Sequence, residues 1–162
     1  VEQQHNDLAT LYIASYRLNA TLSRDEILAT IKEIVTNLVG SEQVVVYETT
    51  EDGNGMHLVA SSGVGDRVPQ EIDFERDLVG RIARSEERFL TGENSRFDEE
   101  ARAMGLNACV PMRVQGRLVG AVAIFKLLQQ KGGWADVDHQ LFELLGHQAA
   151  VALFCSGLME QR

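Results

Sequence analysis

Residues 107–125 (NACVPMRVQGRLVGAVAIF) hold two strand-like runs separated only by Gln115-Gly116. So short a connection, with Gly where a positive φ is wanted, joins antiparallel neighbours, so any fold for this chain must contain a hairpin over 107–114 and 117–125. The second run is almost unbroken in its apolarity, and its alternate residues point to opposite faces of a sheet. Gly120 sits at its middle, where a glycine forfeits packing unless another backbone comes close.

A second hairpin follows from residues 43–49 (QVVVYET) and 56–61 (MHLVAS), which flank the turn cluster EDGNG. Helical spacing takes over elsewhere. Leu8, Leu11, Ser15, Leu18 and Leu22 step by 3-4-3-4 residues, the seam of a first helix expected to continue upstream. Ser23 and Glu26 form a capping box that opens a helix carrying Ile27, Ile31, Ile34, Val35 and Leu38, with Gly40 placed to end it in a left-handed conformation. Leu78, Val79 and Ile82 mark a short helix ending near Ser85, and residues 88–91 (RFLT) read as a short strand. FDEEARAMG reads as another short helix, capped by Asp98 and closed by Gly105. Residues 71–77 (EIDFERD) read as a solvated acidic loop, and QQKGG as a further loop. The last helix starts near Asp136 and runs to the end with two apolar seams. One is Leu141, Leu144, Gln148, Val151, Cys155 and Leu158; the other is Phe142, Leu145, Ala149, Ala152, Ser156 and Met159. A helix apolar on two faces needs two partners, here the sheet on one side and the first helix, a second subunit or both on the other.

Local hairpins with segregated terminal helices imply an α+β class with a mostly antiparallel sheet. A chain of 162 residues suits one domain that buries roughly 70% of its unfolded surface. Cys109 and Cys155 form no CxxC, so neither a zinc knuckle nor a disulfide framework is signalled, and a reducing, cytoplasmic setting is expected. The net charge of −9 argues against nucleic acid and anionic membrane as partners. The longest apolar run, 118–125, falls far short of the roughly 20 residues that cross a bilayer, and no signal peptide is read. Direct membrane insertion is therefore not expected. The chain starts at Val1 rather than at a methionine, from which a piece of a longer protein is expected.

In this order the pieces resemble a GAF domain, the small sensory module of signalling proteins. The resemblance covers roughly residues 25–153. It is carried by the helix before VVVYET, by DLVGRIARSEERFLTG, by ACVPMRVQGRLVGAVAIFK, and by ADVDHQLFELLGHQAAVAL, which is similar to the family's D…LL…A.QAA.AL ending. It implies a GAF-like, PAS-related sheet of five to six strands, with terminal helices on one face and the segment 62–105 roofing a pocket on the other. The expected layout is a linker or dimerisation helix over 1–22, the GAF domain over 23–155, and the start of an output linker helix over 156–162.

Several motifs bear on chemistry. Cys109 has no adjoining His in sequence, and a catalytic thiol wants a nearby cation or helix N-terminus to lower its pKa. GAF-type methionine sulfoxide reductases use several cysteines around the pocket, and this chain offers one there. Residues 94–100 (NSRFDEE) carry the letters of the cyclic-nucleotide GAF signature, but contiguously and with Ser-Arg in place of Lys. SGVGD lacks the third Gly of a dinucleotide site and the Gly-Lys-Ser/Thr of a P-loop, so it reads as a turn. His5, His57, His139 and His147 do not cluster. Bilin-binding relatives attach pigment through a Cys beside a His, whereas Cys109 is followed by Val110 and Pro111. No metal, haem or bilin motif is read, and the cofactor stays unknown.

The resemblance therefore implies a non-catalytic module that binds a small molecule, or none, and relays a signal through its terminal helices. Pocket walls are expected at Phe74, Leu78, Phe89, Cys109 and Met112, with Arg76 or Arg113 as anchors for an acidic ligand. A homodimer is expected through Leu8, Leu11, Leu18, Leu141, Leu144, Val151 and Leu158. The host would be a histidine kinase, chemotaxis receptor, cyclic-di-GMP enzyme or transcription activator. A GAF-type free methionine sulfoxide reductase and a ligand-free dimerisation spacer remain the alternatives.

Overall fold

The computed structural model describes residues 2–19, 23–127 and 133–160. Both hairpins form, and they share one sheet. Strands β1 (Ser41–Thr49) and β2 (Gly55–Ser62) make the first, and β5 (Ala108–Val114) and β6 (Arg117–Leu127) make the second. The turn between β5 and β6 places both Gln115 (φ 51°) and Gly116 (φ 81°) in the left-handed region, as a tight two-residue hairpin requires. The hairpins join through β1 and β6, giving a six-stranded antiparallel sheet in the order β3-β2-β1-β6-β5-β4. Strand β4 is Phe89–Leu90, which extends the sheet beyond β5.

Strand β3 (Glu71–Asp73) is a correction to the sequence reading, which left these residues in a solvated loop. Glu71 and Asp73 are exposed, but Ile72 is buried and lies opposite Met56 of β2. The free edge of β2 recruits this segment, a cause that local composition does not carry.

Residue alternation sorts the core into two layers. Val44 and Val46 of β1, Val110 and Met112 of β5, and Val122 and Ile124 of β6 face the terminal helices. Val45, Tyr47, Cys109, Ala121 and Ala123 face the other way, toward the segment that roofs the sheet. Helix α2 (Arg24–Ile34) begins at Ser23, whose hydroxyl accepts from the Glu26 N–H at 3.5 Å, and continues through a π turn (Val35–Val39) to Gly40 at φ 96°. Helix α1 (Glu2–Asn19) packs Ala14 and Leu18 into the same layer. The roof is built on α3 (Leu78–Arg84) and α4 (Asp98–Met104). Asp98 is the first residue of α4 rather than its cap, a place taken by Phe97.

The C-terminal helix runs as α5 (Asp136–Leu144), a π turn (Leu145–Ala149) and α6 (Ala150–Glu160). Over Asp136–Leu158 it is long and apolar enough, by length and composition, to cross a bilayer, which counting unbroken apolar runs does not reveal. Its apolarity has a local use: Leu141, Phe142, Leu145, Ala149, Ala150 and Leu153 are all buried in the layer between the sheet and α1 and α2.

Gly120 is explained by register. It lies opposite Glu48 of β1, and a Cβ there would come within 2.1 Å of the Tyr47 carbonyl oxygen. Gly157 in α6 is the contrast, since a Cβ there meets nothing within 4 Å. Gly120→Ala should lower the unfolding free energy by about 2 kcal/mol or more, through forced separation of β1 and β6. Gly157→Ala should raise it by roughly 0.5–1 kcal/mol by restricting the unfolded chain. Urea titrations of the two variants check both signs.

Candidate functional site

The roof-facing layer is where the sequence places a pocket. Phe74, Leu78, Phe89 and Cys109 do come together there, all buried, in one cluster with Val45, Tyr47 and Ile82. Strand β4 sets Phe89 opposite Cys109, and α3 lies so close to the end of β3 that a Cβ at Gly80 would sit 2.5 Å from the Asp73 carbonyl oxygen. Leu78, Phe89 and Cys109 line no open cleft among the described residues and belong to the packed floor of the roof, whereas Phe74 also borders a cleft beside α3 and α4. The Tyr47 hydroxyl closes the layer by donating to the Pro69 carbonyl at 2.8 Å. Its pKa is raised above the usual phenol range, first by burial and then by the neighbouring Cys109 and Asp77.

Met112 is a correction. It lies three residues from Cys109, so strand alternation turns it to the opposite face, where it is fully buried in the helix-side layer. Arg76 lies on the exposed turn between β3 and α3, its N–H donating to the Asp73 carboxylate at 3.0 Å. Arg113 has a structural engagement instead: its guanidinium donates to the Ala83 carbonyl at 2.7 Å and to the Gly116 carbonyl at 3.1 Å. It ties the end of α3 to the β5–β6 turn. Neither arginine reaches the buried cluster as an anchor.

Open space lies at the rim of this layer. A cleft of about 460 Å³ is lined by Gln43 of β1, Phe125 and Lys126 of β6, the loop residues Val64, Arg67, Val68 and Pro69, and Met104 and Gly105 at the end of α4. Its apolar lining is joined by two cations. Arg67 folds back on its own loop, donating to the Gly63 and Val64 carbonyls at 3.1 Å each. Lys126 has no carboxylate partner among the described residues. Sequence reasoning missed this cleft because its lining comes from four separate segments, none carrying a motif.

The terminal helices divide the expected relay residues. Leu18, Leu141 and Leu144 are buried within the chain and Leu11 is half-buried against the same layer, so they hold α1 and α5 to the body of the protein. The side chain of Leu8 lies outside the described residues, as do Leu22 and the side chain of Met159. Val151 and Leu158 are 46% and 53% exposed. Tyr12, Ile13 and Tyr16 of α1 are exposed as well, at 73%, 56% and 65%. The two helices are linked where the Ser15 hydroxyl donates to Gln148 at 2.7 Å.

Chemically, the buried layer offers little to a reacting substrate. The Cys109 side chain is entirely enclosed, and burial pushes its thiol up to about 12. A thiolate nucleophile needs the opposite. Among the described residues, no three His, Cys, Asp or Glu side chains come together as a metal site would require.

The family model described as the GAF domain matches residues 21–153. Among solved structures, the chain is similar to the GAF domain of a phosphoenolpyruvate-protein phosphotransferase from Coxiella burnetii. The identity is 16% with a TM-score of 0.76, covering 98% of each chain. The corresponding domain from Acinetobacter gives 15% and 0.74, covering 96% of this chain and 98% of that one. A fragment of a methyl-accepting chemotaxis protein gives 16% and 0.67, covering 92% and 99%. At these identities the structures show the fold alone. No curated protein sequence matches.

The thiols provide a direct check on the site. Under native conditions at pH 8 a thiol reagent should modify exposed Cys155 and spare Cys109, with both reacting after unfolding. Above pH 9 the unfolded-state thiol of Cys109 ionises while the folded one keeps its proton to about 12, so the unfolded state binds fewer protons and stability falls as pH rises. Between pH 8.5 and 10.5 the denaturation midpoint should fall more steeply in wild type than in Cys109→Ala.

Proposed function

The chain belongs to the GAF domain family, and on that premise we propose that it is the non-catalytic sensory module of a larger signal-transduction protein. In this reading a small molecule binds the rim cleft and biases the arrangement of the terminal helices. The observation that carries it is the position of β1 and β6. Gln43, Phe125 and Lys126 of these strands line the cleft, while Val44, Val46, Val122 and Ile124 of the same strands pack against the helices. One layer of sheet therefore separates the ligand from the relay.

The lining suits a ligand with an apolar body and one acidic group, held by Lys126 and by Arg67 if it releases its loop carbonyls. Such a ligand changes the output only through its different affinity for two helix arrangements, usually a coupling of about 1–3 kcal/mol. The exposed aromatic and aliphatic side chains of α1 and α6 supply the second half of the device, a face for pairing with another copy. A structure similar to this chain, at 16% identity and TM-score 0.65, is of a protein with bound biliverdin, and others come from chemotaxis and two-component sensor proteins. These support a signalling host such as a histidine kinase or chemotaxis receptor. The enclosed, proton-retaining thiol of Cys109 speaks against methionine sulfoxide reduction. The dense packing of Phe74, Leu78, Phe89 and Cys109 favours one second reading, a dimerisation spacer without a ligand.

Sedimentation and native mass spectrometry separate these readings. Wild type should sediment at twice the chain mass, and Tyr16→Glu combined with Leu158→Glu at one chain mass with unchanged circular dichroism. A wild-type monomer at high concentration would remove the relay proposal. A bound small molecule in freshly purified protein, lost in Lys126→Glu, supports the sensory reading. A dimer that never carries one supports the spacer.

A further inference from the structure

A second cleft, of about 530 Å³, opens on the outer side of the roof between α3 and α4. It is lined by Phe74, Arg81, Arg84, Ser85, Arg96, Phe97 and Glu100, which puts three arginines in one place on a chain of net charge −9. Arg81 is bonded to Glu100, so that pair is neutral and ties α3 to α4. The other two are different. Arg84 lies over the Phe74 ring at 5.4 Å and Arg96 over the Phe97 ring at 4.8 Å, and neither has a carboxylate partner among the described residues. An aromatic face holds a guanidinium in a fixed plane while leaving its N–H fork free to donate.

Two preset, uncompensated forks ask for a doubly charged acceptor. A single carboxylate offers two oxygens, which one fork satisfies. A phosphate group offers three or more oxygens and up to two charges, enough for both. We propose that this cleft binds a small phosphate-bearing molecule. The Ser85 hydroxyl donates to the Ile82 carbonyl at 2.7 Å, so the arginines, not the serine, carry the recognition. Glu100 is the one carboxylate in the lining, and its bond to Arg81 keeps it from competing for Arg84 and Arg96. Because Arg84 belongs to α3 and Arg96 to the segment before α4, the ligand draws together the two helices of the roof. This site shares no lining residue with the rim cleft, so it stands or falls apart from the function proposed above.

The test is a titration of the intact chain with inorganic pyrophosphate, followed by calorimetry and by NMR of the arginine Nε–H groups. Saturable binding that shifts Arg84 and Arg96 is expected, weakened at least tenfold in Arg84→Gln/Arg96→Gln. Binding should be unchanged in Arg88→Gln, whose arginine pairs with Glu143 away from the cleft, and in Lys126→Gln at the rim. Raising the salt from 50 to 200 mM should weaken it several-fold. No saturable binding overturns the proposal. Binding that survives the double substitution, or that is lost in Lys126→Gln, places the anion elsewhere and overturns it equally. Both substituted arginines are exposed, so circular dichroism should report an intact fold.

Discussion

The pairing of β1 with β6 is the constraint on which the rest of this structure depends. Each hairpin could form by local turn chemistry, but only their union gives a sheet wide enough to carry a layer on each side. The union needs close backbones where Gly120 meets Tyr47 and Glu48, and no side chain larger than hydrogen fits there. Once it forms, alternation fixes everything that docks on it. Val44, Val46, Val122 and Ile124 demand an apolar cover on one face, and Val45, Tyr47, Ala121 and Ala123 demand another on the opposite face.

The two covers are built by different means. On the helix side, length suffices, because α5 and α6 present a continuous apolar face and α1 and α2 close over it. An ion pair then fixes the angle of entry: Arg24, at the start of α2, makes two hydrogen bonds of 2.7 and 2.8 Å to the Glu48 carboxylate on β1. A cation at a helix N-terminus opposes the helix dipole, so this half-buried, two-pronged pair is what makes the position favourable. On the roof side no long element exists. Short pieces are held by backbone contacts and single hydrogen bonds, such as Arg113 to Ala83 and Tyr47 to Pro69. Clefts open where such pieces meet.

This difference explains what could be read from the sequence. Hairpins, caps and the long helix are encoded within a few residues: Gln115-Gly116 sets its turn, Gly40 ends its helix, and apolar spacing marks the buried face of α5 and α6. The roof is encoded across the chain. Strand β3 exists because β2 has a free edge, and Asp98 loses the cap to Phe97 because Ser95 shapes the turn before it, accepting from the Phe97 N–H. The Cys109 side of the sheet was legible in part, since Phe89 lies opposite it and Phe74 and Leu78 share its buried cluster. Strict alternation would have excluded Met112 at once, because an odd separation along a strand means opposite faces. Neither cleft was legible, because Arg81 and Arg84 are separated from Arg96 by a strand and a loop, and Gln43 from Lys126 by about half of the chain.

The division of labour also bears on how a signal could cross the molecule. Close-packed layers do not bend smoothly; they shift between discrete arrangements. Both faces of β1 and β6 are filled, so a ligand that moves these strands at the rim must displace the side chains on the far face as well. The helix above them is not uniform. Its π turn, Leu145–Ala149, lies where the helix comes nearest β5, with a Cβ at Gly146 only 3.3 Å from the Pro111 carbonyl oxygen. A π turn interrupts the α-helical ladder with i→i+5 bonding, a break that is frequent at functional sites. Displacement of the sheet would be felt first at that turn. Beyond it lie Val151 and Leu158, both exposed on α6.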